Sequence, residues 1–116
     1  MPVTYRLFFL VTFTSLTALA KGAVVINEIH HDPDVKTELV EFIELHNTAA
    51  EPVDLSGWVI GDAVVFTFPD GSIIGGGGFV VVAHNPAQFK AKFGGSPLGP
   101  WLGKLDNDGE RIELHD

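Results

Sequence analysis

The sequence predicts an all-β domain, a sandwich or a barrel, and three observations carry that prediction. Short runs rich in Val, Ile and Phe recur along the chain, several alternate with polar residues, and Gly, Pro, Asn and Asp turn signals separate them at regular spacing. Alternation matters because successive side chains of a strand point to opposite faces, so every second residue can be buried. At 116 residues the chain has room for one small domain. It has no cysteine, which removes disulfides, thiolate metal sites and thiol catalysis.

The first twenty residues read as a signal peptide. Arg6 supplies the positive charge, residues 7–20 form an apolar run of 14 residues, and Ala18-Leu19-Ala20 has the small-x-small form that places cleavage before Lys21. The run falls short of the roughly 20 residues a helix needs to cross a bilayer. An uncleaved anchor that recruits flanking residues is the alternative, and after cleavage no stable membrane insertion is expected. Removing residues 1–20 takes away Arg6 and no acid, so six basic residues face fifteen acidic ones and the net charge moves from −8 to −9. That surface repels phosphate backbones, which argues against nucleic acid as a partner and is compatible with divalent cations or basic partners.

The remaining elements follow in order. Val24-Val25-Ile26-Asn27-Glu28-Ile29 is a β-branched run and the first strand, ended by the 30–34 segment, where Pro33 cannot donate to a ladder. Residues 38–47 fit two patterns. Glu38, Glu41 and Glu44 at spacing three suggest a helix face, whereas Ile43 and Leu45 alternate with Phe42, Glu44 and His46 as a strand does. The lack of a cap and the irregular loop from Asn47 to Pro52 favour a strand with Ile43 and Leu45 inward.

A turn at 53–57 enters a strand through Trp58-Val59-Ile60, and Gly61-Asp62 ends it. Val64, Phe66 and Phe68 share one face of the next strand, and Pro69-Asp70-Gly71 is a tight turn. Gly75 to Gly78 resembles a phosphate loop only in composition: a strand follows (Phe79-Val80-Val81-Val82-Ala83) rather than a helix, so a hairpin connection is favoured. One short helix is predicted near 86–93, capped by Asn85, with Pro86 at its first position, Phe89 and Phe93 on one stripe and Gly94-Gly95 at its end. Residues 96–103 read as a Gly/Pro loop carrying Trp101, 105–110 as a hairpin turn with Asp108-Gly109 at its tip, and 111–115 as a closing strand.

Taken together, several of these segments resemble the lamin-tail domain family in its bacterial exported form. The matching pieces are Ile26-Asn27-Glu28-Ile29, Glu41-Phe42-Ile43-Glu44-Leu45-His46-Asn47, Val53-Asp54-Leu55-Ser56-Gly57-Trp58, Phe66-Thr67-Phe68-Pro69, Phe79-Val80-Val81-Val82 and the 105–114 segment. No single piece is diagnostic; the pieces in this order, across residues 24–116, carry the resemblance. It implies an immunoglobulin-like β-sandwich with an interaction role and no catalytic residues. In nuclear lamins such a domain is a docking surface, and in bacteria similar modules lie beside exported nucleases, phosphatases and spore-coat-type kinases. The family continues past the last matching strand, and this chain stops at Asp116. The resemblance therefore implies a sandwich lacking its last strand, with an open edge prone to pair with another chain, or a truncated piece of a longer protein.

Candidate chemistry is sparse. His30, His31, Asp32 and Asp34 form the most metal-like cluster, but adjacent residues of an extended chain face opposite ways, which favours a polar loop. Glu28, Glu41 and Glu44 could act as an acid–base pair in a cleft or bind calcium; solvent exposure, or pairing with Lys36, Lys104 or Arg111 across the sheet, is the simpler reading. Asp106 and Asp108 sit in a turn with faint calcium-loop character that lacks the distal bidentate Glu. Ser56 lies outside any nucleophile-elbow motif, and His46 and His84 read as polar residues at strand ends.

Binding is assigned to Trp101, His31, Asp32 and Asp34, although packing over the sandwich end is the favoured role for Trp101. The functional expectation is a non-enzymatic, secreted or cell-surface binding module with a protein or cell-surface partner and no cofactor. The alternatives are an ancillary domain of a larger exported hydrolase and a small divalent-metal protein.

Overall fold

The computed structural model describes residues 2–3, 23–31, 39–105 and 111–116. In chain order the elements are β1 (Pro2–Val3), β2 (Val24–His30), β3 (Phe42–Asn47), β4 (Val53–Asp54), β5 (Val59–Asp62), β6 (Val64–Thr67), β7 (Ile73–Ile74), β8 (Phe79–Ala83), α1 (Pro86–Phe93), β9 (Leu102–Gly103) and β10 (Ile112–His115). The expected signal peptide apart from residues 2–3, residues 32–38 with Asp32, Asp34 and Lys36, and residues 106–110 with Asp106 and Asp108 lie outside the described residues.

Two antiparallel layers face each other. One has the strand order β2-β3-β8 and the other β1-β10-β5-β6-β9. Central strand β3 settles the helix–strand ambiguity by pairing on both sides, with β2 and with β8. Its alternation is the one the sequence predicts: Ile43 and Leu45 are fully buried, and Phe42, Glu44 and His46 are half-exposed on the outer face. From the opposite layer Ile60, Val64 and Leu114 meet them, with Leu55, Phe68 and Ile74 filling the space between. Burying one such side chain contributes about 1.5–3 kcal/mol, so this shared core is the main source of stability.

A jog connects the layers. The β3–β8 ladder continues past its regular end through bonds from Asn47 N–H to Gly78 C=O (2.9 Å) and from Gly77 N–H to Ala49 C=O (2.9 Å), and then resumes as the β4–β7 pair. This is what the four-glycine run does. At Gly76 a Cβ would collide with the Ala50 carbonyl, so only glycine lets the two strands approach.

The buried side chain of Asn47 holds the jog from inside. Its Nδ2 donates to the carbonyls of Glu51 (2.8 Å), Ile74 (3.2 Å) and Gly75 (3.1 Å), and its Oδ1 accepts from Ala49 N–H (3.0 Å).

Helix α1 forms where the sequence places it. Asn85 Oδ1 accepts from Gln88 N–H at 3.0 Å, and Gly94 N–H closes the other end on Lys90 C=O at 2.8 Å. Phe89 is buried, whereas Phe93 lies beside it with 48% of its surface exposed.

One expectation needs correction. Residues 96–103 are not loop throughout, because Leu102–Gly103 pairs with Val64–Val65. Gly103 makes this possible, since a Cβ there would press on the Ala63 carbonyl, and so the Gly-rich composition hid a strand. In the whole chain Pro2 lies opposite His115 and Val3 opposite Leu114, and cleavage before Lys21 would remove both and leave that edge of the closing strand open.

Candidate functional site

The outer edge of β8 combines unpaired backbone with exposed apolar side chains. Residues of β8 bond alternately inward, to β3, and outward. The Asn47–Gly78 bond sets the phase, so Val80 and Val82 point their backbone groups to β3 while Phe79, Val81 and Ala83 point theirs away. Leu98 takes part of that outer edge. Its N–H donates to Val81 C=O at 2.9 Å and its C=O accepts from Ala83 N–H at 2.8 Å. One residue makes a single parallel bridge, opposite Val82. No partner among the described residues takes Phe79 N–H, Phe79 C=O or Val81 N–H.

A groove of about 540 Å³ runs along this stretch, between the 69–73 turn and the 95–98 segment. Ile73 and Phe79 line it while 53% and 54% exposed, so apolar surface and unpaired backbone lie together. Asp70 is the one ionisable side chain among its described lining residues. Phe79 is also braced from the outer face by His46, whose ring stacks on it with centroids 4.2 Å apart.

Local hydrogen bonds fix the groove wall. Asp54 Oδ1 accepts from both Ser56 N–H and Ser56 Oγ, and Gly71 N–H donates to Ser56 Oγ at 2.8 Å. Ser56 thus ties the 54–57 turn to the 69–72 turn. The Ser56 hydroxyl, and then its N–H, hold the Asp54 carboxyl below its ordinary range. A carboxyl lowered in the folded state stabilises fully above the unfolded value, and the benefit disappears as pH falls through the lowered folded value. The carboxyl NMR titration of Asp54 is therefore expected to show a midpoint below that of a free aspartate, and Ser56→Ala should move it upward. An unchanged midpoint in Ser56→Ala would remove Ser56 as the cause.

Among the described residues, those singled out from sequence do not converge. His30 stacks on Phe42 (centroids 5.0 Å) and meets the edge of Phe93, whereas His31 Nε2 lies 3.4 Å from Glu41 Oε2. The two imidazoles serve different neighbours, as alternation requires. Glu44 accepts from Asn27 Nδ2 at 2.9 Å across the β2 bulge, where Glu28 lies opposite it and is exposed. Arg111 does not reach these glutamates; it pairs with Glu113 at 2.9 Å and approaches Asp62 at 3.6 Å. Among the described residues no group of three or more His, Asp or Glu side chains is placed to hold a metal ion.

Trp101 is interior and offers no surface for the binding role assigned to it. It is 3% exposed, belongs to the core and stacks on His84 with centroids 5.6 Å apart. Of its two candidate roles it takes the packing one, because the 98–105 segment folds back onto the sandwich. Trp58 is half-buried against the same core. The sequence reading missed Ile73 and Phe79. Neither residue's run carries a signal of exposure, and only the sheet order makes β8 an outer strand.

No helix among the described residues is long and apolar enough to cross a membrane. The Lamin Tail Domain family model matches residues 17–116. Neither the curated proteins nor the solved structures gave a match. The family match covers most of the chain, and its immunoglobulin-like fold agrees with the two antiparallel layers described above, so this chain belongs to the lamin-tail domain family.

Proposed function

We propose that this chain is an exported, non-catalytic binding module that presents the β8 groove to a protein or cell-surface component. The supporting observation is the coincidence, at Phe79–Val81, of unpaired backbone groups with the exposed side chains of Ile73 and Phe79. Apolar surface gains about 25 cal/mol per Å² when removed from water, and a rigid sheet offers it without reordering. Family membership favours an interaction role, and the apolar run at 7–20 favours export. The acidic surface, net −8 over the whole chain, disfavours nucleic acid as the partner. The role requires no cofactor.

Expression of the whole chain in its own cell type tests both parts. N-terminal sequencing of protein recovered outside the cytoplasm is expected to begin at Lys21; recovery solely inside the cell, starting at Met1, would reject export. Fluorescently labelled protein is expected to associate saturably with the producing cells' surface. The double variant Ile73→Asp, Phe79→Asp should weaken that association at least about tenfold, as the loss of two apolar anchors implies. Both residues are half-exposed, so the melting temperature should hold. Unchanged association would move recognition off this groove.

A further inference from the structure

Strand pairing along the outer edge of β8 begins and then stops. Leu98 pairs with the edge at Val81 and Ala83, and upstream of it the 95–97 segment departs, which opens the groove. The next three edge groups, Val81 N–H, Phe79 C=O and Phe79 N–H, are in phase with the two that Leu98 uses. They form the continuation of a parallel ladder whose next residue is missing. Its volume of about 540 Å³ lies within the span of ligand pockets, on the order of 300–1,000 Å³.

The charge around it has one sign. Asp70 lines the groove, Asp54 lies opposite Ile73 on the neighbouring strand, and Glu44 lies opposite Val81 one strand inward. No Lys, Arg or His is among the described lining residues. An acidic segment would meet repulsion here, and so would a second copy of this chain, which carries a net charge of −8.

We propose that the groove takes an extended basic peptide segment of a partner protein, which adds to β8 as a short parallel strand at Phe79–Val81. This rests on the β8 groove being the recognition surface, and it names the mode and chemistry of that recognition. One peptide residue donates its N–H to Phe79 C=O and accepts from Val81 N–H, repeating the two-bond pattern of Leu98 one step earlier. The residue two before it accepts from Phe79 N–H. Main-chain bonds of this kind supply affinity while side chains supply selection. Apolar side chains of the segment cover Ile73 and Phe79, and a flanking Lys or Arg faces Asp70.

The test titrates the isotope-labelled full chain with the probe acetyl-Lys-Val-Thr-Val-Lys-amide at low salt, up to about 5 mM, which reaches the millimolar range of weak contacts. Saturating shifts of the Phe79 and Val81 amides are expected. N-methylation of the central threonine removes one donor and should weaken binding about fivefold, the equivalent of one neutral hydrogen bond. Asp70→Lys should weaken the basic probe about threefold and favour acetyl-Glu-Val-Thr-Val-Glu-amide instead.

Absence of shifts at these two amides, equal binding of the N-methylated probe, or equal binding of the acidic probe by the unaltered chain would each overturn the proposal. Shifts of the same amides with protein concentration alone would overturn it in favour of self-association. If the cell-surface association of the preceding experiment persists while the probe fails, strand addition falls and the binding-module role stands.

Discussion

Asn47→Ala is expected to destabilise the domain by about 3 kcal/mol, because it strips a buried network rather than a single contact. Asn47 is fully buried and is the point where the β3–β8 ladder jogs toward β4–β7. Its amide donates to three carbonyls and its oxygen accepts from Ala49 N–H. Alanine cannot replace any of these bonds, and it leaves the Ile74 carbonyl without this donor at a buried position. In a domain of this size each 1 kcal/mol moves the melting temperature by roughly 4–8 °C, so a fall of about 12–24 °C should be read by circular dichroism. Asn47→Asp keeps the acceptor, loses the donors and adds a buried charge, and should do no better. A fall of only a few degrees in Asn47→Ala would mean that the glycine turn at 75–78 holds the jog without the side chain.

Trp101→Ala is expected to cost about 3–5 kcal/mol, the range for truncating a buried aromatic. The ring closes one end of the sandwich, stacked on His84 and packed among the core residues that include Leu105. Truncation leaves a cavity that the fixed strands around it cannot collapse into. Trp101→Phe retains most of the volume and should recover more than half of the loss. Equilibrium urea unfolding measures both. If Trp101→Ala melted like the unaltered chain yet no longer associated with cells, the residue would be a contact and its packing role would fall. Ile73→Asp and Phe79→Asp, by contrast, should alter binding and leave the unfolding midpoint in place.

What was legible in the sequence was local. Alternation over 42–47 was enough to bury Ile43 and Leu45, and a strand was preferred to a helix because no cap began the run. Asn85, Pro86 and Gly94 marked the helix to the residue, since capping is decided by groups a few positions apart. For Trp101 the sequence favoured packing over a binding contact without fixing it, because burial of a loop residue depends on where a distant sheet lies. Leu102–Gly103 escaped notice because Gly103 permits a pairing that glycine-rich composition argues against.

The candidate groove was not legible at all. Phe79-Val80-Val81-Val82 reads as a continuous apolar run, the pattern of a strand covered on both faces. A strand's residues state what it can bury but not which strand lies beside it. The order β2-β3-β8 left β8 outermost, and the departure of the chain before Leu98 left Phe79 and Val81 with unpaired backbone. By itself the sequence determined which segments extend, where they turn and which side chains face inward, because those depend on neighbours within a few residues. Only the tertiary structure decided which edge stays open and that Trp101 is interior, because both follow from contacts between segments far apart in the chain.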